Sequence, residues 1–182
     1  LAKRAMLAQL ERLSYEDVLT GLYNRNRYIK QMQEFQSSPP ESLGVLYLDI
    51  NRLKEANDVY GHAYGDRLIV QAANLLRNVF SNGIYRVGGD EFVVLCPNVD
   101  EEQFETLVAR FRQAINQAEG LDISVGAAWS SGGQDAMNQV MRADELMYEE
   151  KQLFYRSGLT GSPEHQAKIA EDLADPLHFR RK

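Results

Sequence analysis

Ile84-Tyr85-Arg86-Val87-Gly88-Gly89-Asp90-Glu91-Phe92-Val93-Val94-Leu95-Cys96 is the stretch that decides the fold. Two apolar runs, Ile84 to Val87 and Phe92 to Cys96, flank Gly88-Gly89-Asp90-Glu91, a pattern that predicts two antiparallel strands joined by a tight hairpin with its acids at the tip. Gly88 and Gly89 are expected to give the turn positive φ and to let a bulky ligand approach the backbone, although a plain turn could use the same pair.

Outward from the hairpin the periodicity changes. Upstream, Leu43 to Ile50 reads as a buried strand with Asp49 near its end, and Asn51 to Gly61 as a turn entering short helical structure. Leu68, Ile69, Ala72, Leu75, Leu76 and Val79 keep helical spacing until Ser81-Asn82-Gly83 stops them. Downstream, Asp100 to Ala118 is an amphipathic helix, Ile123 to Trp129 a strand and Met137 to Phe154 a further helix. A helix from Arg25 to Phe35 ends at Ser37-Ser38-Pro39-Pro40, and Ser14 or Asp17 can cap the turn before it. The pattern is an α+β alternation with one antiparallel hairpin.

At the N-terminal end, Met6, Leu7, Leu10 and Leu13 form one apolar helical face. That face predicts either a helical linker over residues 1–13 from an upstream module or a terminal helix packed on its own domain. Residues 158–182 contain Pro163 and Pro176, a helical candidate from His165 to Leu173, and basic Arg180, Arg181 and Lys182; they read as a tail or linker.

The 182 residues are enough for one compact domain with short extensions. Twenty Lys and Arg against 26 Asp and Glu give a formal charge of −6, which argues against nucleic acid as a partner and leaves a small phosphorylated ligand open. Cys96 is the single cysteine, so neither an internal disulfide nor a cysteine zinc site can form; it reads as a small buried hydrophobe in a protein of the reducing cytoplasm. No apolar run approaches the roughly 20 residues that span a bilayer.

Asp49 at one strand end and Asp90 with Glu91 at the hairpin tip would meet if their strands were neighbours. Converging carboxylates offer hard oxygens to Mg²⁺, which takes few protein carboxylates and completes its shell with phosphate oxygens. Metal-assisted phosphoryl chemistry follows, against the plainer reading of acids in solvated turns.

The string from Arg86 to Phe92 resembles the signature that names the GGDEF family of diguanylate cyclase domains. The resemblance extends to Asp17-Val18-Leu19-Thr20-Gly21-Leu22-Tyr23-Asn24-Arg25, to Asp49 through His62 with Gly65-Asp66, to Ser124-Val125-Gly126-Ala127, and to Ala143-Asp144 through Tyr148 to Lys151. These motifs cover residues 14–157 in the family's order. The resemblance implies a central, mostly antiparallel sheet of about five strands surrounded by helices, like nucleotide-cyclase and polymerase palm domains. It implies an enzyme that condenses two GTP into cyclic di-GMP with release of pyrophosphate.

By the same resemblance Asp49, the Ile50 carbonyl and Asp90 bind Mg²⁺, with Glu91 beside the metal. Asp90 is the candidate base for the ribose 3′-hydroxyl, Lys54 and Lys151 meet the phosphates, Asn57 and Asp66 read guanine, and His62 lies at a substrate-binding position; Gly88 and Gly89 give the nucleotide room. Each domain would hold one GTP, so a homodimer with facing active sites is implied, set by an upstream sensory domain through the opening helix.

Departures from the family pattern stand at Val79 and Asn82, where many members carry the Arg-x-x-Asp product-inhibition site; at Asn51 and Leu53; and at Tyr155, where a phosphate-binding Arg is usual and which Arg156 would replace only from a different helix face. Two other readings remain open: a GGDEF domain without turnover, acting as a GTP-binding regulatory or dimerisation module, and another metal-dependent nucleotidyl transferase with a palm-like sheet.

Overall fold

A computed structural model describes residues 2–133 and 135–157. The expected helix at His165 to Leu173 and the basic end lie outside the described residues. Within them the elements run α1 (Ala2–Tyr15), α2 (Arg25–Ser37), β1 (Ser42–Ile50), α3 (Leu53–Tyr60), α4 (His62–Val79), β2 (Ile84–Arg86), β3 (Glu91–Pro97), α5 (Glu101–Gln117), β4 (Ile123–Ser131) and α6 (Ala136–Ser157).

Local chemistry explains the helix starts. Asn24 caps α2 by accepting from the Arg27 N–H, and Asp100 with Gln103 forms a reciprocal capping box on α5. Asp17, rather than Ser14, caps the turn before α2: its carboxylate accepts from the Thr20 N–H at 2.9 Å and hydroxyl at 2.7 Å. Ser14 lies inside α1, which runs to Tyr15.

The sheet has the order β2-β3-β1-β4 with every pairing antiparallel. Among the described residues it has four strands, where about five were expected. β1 is central and buried on both faces, and its residues alternate between two cores. Leu46, Leu48 and Ile50 join Leu68, Ile69, Ala72 and Leu76 of α4 and Phe104 and Phe111 of α5; Leu43 and Val45 join Met32 and Phe35 of α2 and Val140 and Ala143 of α6.

α6 lies close on β4 at Gly126, where a Cβ would overlap the Ala143 carbonyl and the Met147 amide. Next to that contact, Glu150 accepts from the Val125 N–H at 3.1 Å and from both terminal nitrogens of Arg112, while Arg112 donates to the Val125 carbonyl at 3.0 Å. The clamp fixes α6 in register with the sheet edge.

Candidate active site

β1 and β3 bring their acids together by register alone. Asp49 stands opposite Glu91 on one side and Ser124 on the other, and directly opposed residues share a sheet face. That face is the one α6 covers. Lys151 of α6 reaches across it and donates to Asp49 Oδ1 at 2.9 Å, with side-chain exposures of 10% and 6%. The Asp90 carbonyl accepts from the Ile50 N–H at 3.0 Å, so the signature loop is tied to the end of β1.

The loop differs from the expected turn in two respects. Glu91 is the first residue of β3 rather than part of the tip, with Val87 and Gly88 both donating to its carbonyl. Neither Gly88 nor Gly89 has a positive φ, which corrects the expectation that the pair supplies one. What Gly88 supplies is space, since a Cβ there would stand 2.8 Å from a Glu91 carboxylate oxygen; at Gly89 a Cβ would meet nothing within 4 Å.

Burial and mutual repulsion govern the charges. Burial pushes Asp49 up to about 7 against the pull of Lys151, with Asp90 and Asp144 adding to the rise. Glu91 is pushed up to about 7 by burial and then by Asp49, Asp90 and Asp144. Burial disfavours the Lys151 cation, but the adjacent Asp49 outweighs it and holds the ammonium above its ordinary value. Tyr47, on the same face, is pushed up by burial and by Glu91 and Asp144.

Such an acid pair is suited to a hard divalent cation. Among the described residues no three Asp, Glu, His or Cys side chains form a ready-made cage. The opposed Asp49 and Glu91 carboxylates still fit Mg²⁺, which takes one or two carboxylates and draws its other donors from carbonyls, water and phosphate.

The remaining predicted residues lie on the adjoining helices. Lys54 and Asn57 are on α3, His62 and Asp66 on α4; Lys54, His62 and Asp66 are exposed. Asn57 is half-buried, and its Oδ1 is buried with no hydrogen-bond partner. Gly65, one residue before Asp66, makes room for that amide, since a Cβ there would overlap it. A buried acceptor left unpaired is costly unless a ligand or water completes it. Asn51 is buried and accepts from the Ser124 hydroxyl at 2.9 Å.

Three residues named in the sequence take parts that its reading did not assign. Asp144 acts on both raised carboxylates. Arg86 donates to both Asp17 oxygens at 3.1 Å and, from Nη2, to the Gly89 carbonyl at 2.8 Å, tying the opening turn to the signature loop. These links hold Asp17 below its ordinary value: burial opposes them, and the bonds from Thr20 and Arg86 outweigh it. Tyr155 accepts from the Arg52 N–H at 3.2 Å. Arg86 and Asp17 each belong to a recognised motif, so their opposite charges were the available signal; nothing in the sequence joins residues 52 and 155.

The family model described as diguanylate cyclase, GGDEF domain, matches residues 14–154. Diguanylate cyclase DgcM of Escherichia coli strain K12 is 31% identical over 155 residues, covering 79% of this chain and 37% of that protein. The chain thus spans little more than a third of that relative's length. The crystal structure of diguanylate cyclase SiaD from Pseudomonas aeruginosa in complex with its activator SiaC superposes with a TM-score of 0.69 at 27% identity, covering 83% of this chain and 63% of that one. The coiled coil and GGDEF domain of DgcB from Caulobacter crescentus, at 24% identity, shares the fold with a TM-score of 0.72 over 83% of this chain and 87% of that one.

Proposed function

Because the chain belongs to the GGDEF diguanylate cyclase family, we propose that it condenses two GTP molecules into cyclic di-GMP with release of two pyrophosphates, in a Mg²⁺-dependent reaction. The observation that carries this reading is the meeting of buried Asp49 and Lys151 with half-buried Glu91 at the end of β1, with the Asp90 carbonyl tied to Ile50.

Asp49, the Ile50 carbonyl, Asp90 and Glu91 are the proposed metal-binding set. When bound, the cation offsets the triphosphate charge and lowers the pKa of a ribose 3′-hydroxyl. Asp90 accepts that proton, and Lys54 and Lys151 stabilise charge developing on the phosphates. Asn57 and Asp66 complement the guanine edge, an amide and a carboxylate matching its acceptor and donor groups, and the unpaired Asn57 Oδ1 supports this role. His62 contributes to substrate binding. Gly88 leaves the backbone open beside Glu91.

One domain supplies one half of the reaction, so two copies face each other across a two-fold axis. The exposed Met6, Leu7, Leu10 and Leu13 of α1 support a linker role for residues 1–13, which would set that arrangement for an upstream sensory domain. Residues 14–157 form the catalytic domain, and residues 158–182 a tail or linker. Among the described residues no helix is long and apolar enough to cross a membrane, and a cytoplasmic location suits the nucleotide substrate. With Val79 and Asn82 in the Arg-x-x-Asp positions, product inhibition of that type is lost.

Incubation of the purified chain with GTP and Mg²⁺ over a range of protein concentrations, beside Asp90→Ala, tests the reading. Cyclic di-GMP and pyrophosphate should form in the parent and not in the variant, faster than linearly with protein, and added cyclic di-GMP should leave the rate unchanged. GTP binding without product at any concentration would instead assign the chain to the regulatory reading.

A further inference from the structure

Arg52 has a conformation that asks for a reason. It is the residue before α3 and lies in the left-handed region, φ 57° and ψ 24°, with no side-chain cap bond to the helix it precedes. Among the described residues the other non-glycine with positive φ is Asn98, a residue type that tolerates it. For an arginine this conformation is strained, and such strain persists where the surroundings over-determine it.

The surroundings come from α6. The Arg52 N–H donates to the Tyr155 hydroxyl at 3.2 Å, and its guanidinium lies over the Phe154 ring, 5.1 Å from the centroid. Phe154 and Tyr155 meet edge to face at 5.3 Å and 86°. They follow Lys151 by one helical turn, so the helix that delivers the buried ammonium to Asp49 also grips Arg52.

Arg52 also follows Ile50, the last residue of β1, by two positions, so the turn that α6 grips is the one leaving the strand end where Lys151 meets Asp49. The Arg52 side chain is 41% exposed, and its Nε stands 4.0 Å from the exposed Glu55 carboxylate, the outer limit of an ion pair. An exposed contact of that kind is weak. A guanidinium stacked on an aromatic face keeps its N–H edge for a planar or phosphate oxyanion.

We propose that Arg52 is a phosphate-binding residue of this site, a guanidinium that meets the nucleotide triphosphate beside Lys151 and is positioned by Phe154 and Tyr155. The assignment rests on the nucleotide reading above and adds to it a cation carried at the start of α3.

Arg52→Gly separates this role from a merely structural one, because glycine accepts the left-handed conformation without strain and should leave the melting temperature unchanged or higher. Arg52→Asn, which also tolerates it, serves as the second variant. Calorimetry on the full chain with Mg²⁺ would compare a non-hydrolysable GTP analogue with GMP. Both variants should bind the triphosphate at least about 10-fold more weakly, with GMP affinity changed less than about twofold. Tyr155→Phe should produce a smaller loss of the same kind. Equal weakening of both ligands, unchanged triphosphate affinity, or a selective loss in Arg156→Ala instead would overturn the assignment. If the parent chain binds no GTP analogue, the nucleotide reading fails and takes this assignment with it.

Discussion

Asp49 and Glu91, one buried and one half-buried, show how a pair of apposed acids shapes behaviour across pH. Both are pushed up to about 7, well above the ordinary carboxylate range, chiefly by burial. The folded chain therefore holds more protons than the unfolded chain between about pH 4 and about pH 7, so without metal its stability falls as pH rises through that window and levels off above it. Glu91→Gln removes one of these titrations and should flatten the fall in melting temperature between about pH 5.5 and about pH 8 measured in chelator; an undiminished fall would show that other groups set it. Mg²⁺ competes with the same protons, so in the parent its stabilising effect should grow from about pH 6 to about pH 8. The identities of these residues were legible in the sequence, but their protonation was not. Burial and the added charge of Asp144, on a helix more than fifty residues downstream, set it.

Elements were read well where the periodicity is local. The central strand, the hairpin strands and the long amphipathic helices fall where alternation and helical spacing put them, because burial of one face or both imposes those periods. What crosses between elements was not readable. Gly126 sits in an ordinary strand sequence, and only the packed helix reveals that its missing Cβ admits the α6 backbone. Gly126→Ala should drive α6 off β4 and destabilise the chain by about 1–3 kcal/mol in chemical denaturation. It should also weaken the Lys151 to Asp49 contact, whereas full stability would mean that the helix can shift without loss. The Arg112 to Glu150 clamp was equally hidden, because charged residues on exposed helix faces read as solvated surface. Four strands stand among the described residues where the resemblance implied about five, and the chain's own pattern supported only α+β with one hairpin.

At the scale of the whole molecule, Arg86 links the end of α1 to the signature loop. Asn24 anchors the helix end, its N–H donating to the Tyr15 carbonyl and its side-chain amide to the Ser14 carbonyl at 3.0 Å, and the turn after α1 delivers Asp17 to Arg86. Arg86→Met breaks the chain of contacts at its middle and frees the Gly89 carbonyl. Initial rates of cyclic di-GMP formation should fall about 10–100-fold, as for a small misplacement of reacting groups, and a rate within about twofold of the parent would show that the loop holds its shape unaided. The position of β1 has a consequence for how the molecule comes to exist. It is the third strand across the sheet yet the first in the chain, and both of its neighbours, β3 and β4, come later. During synthesis Asp49 is made early and waits for Glu91, then Ser124, and finally Lys151, 102 residues away. Contacts of such separation form late and slowly, so under the proposed activity a nascent chain has no competent phosphate centre until α6 has docked, and unfinished copies would consume no nucleotide.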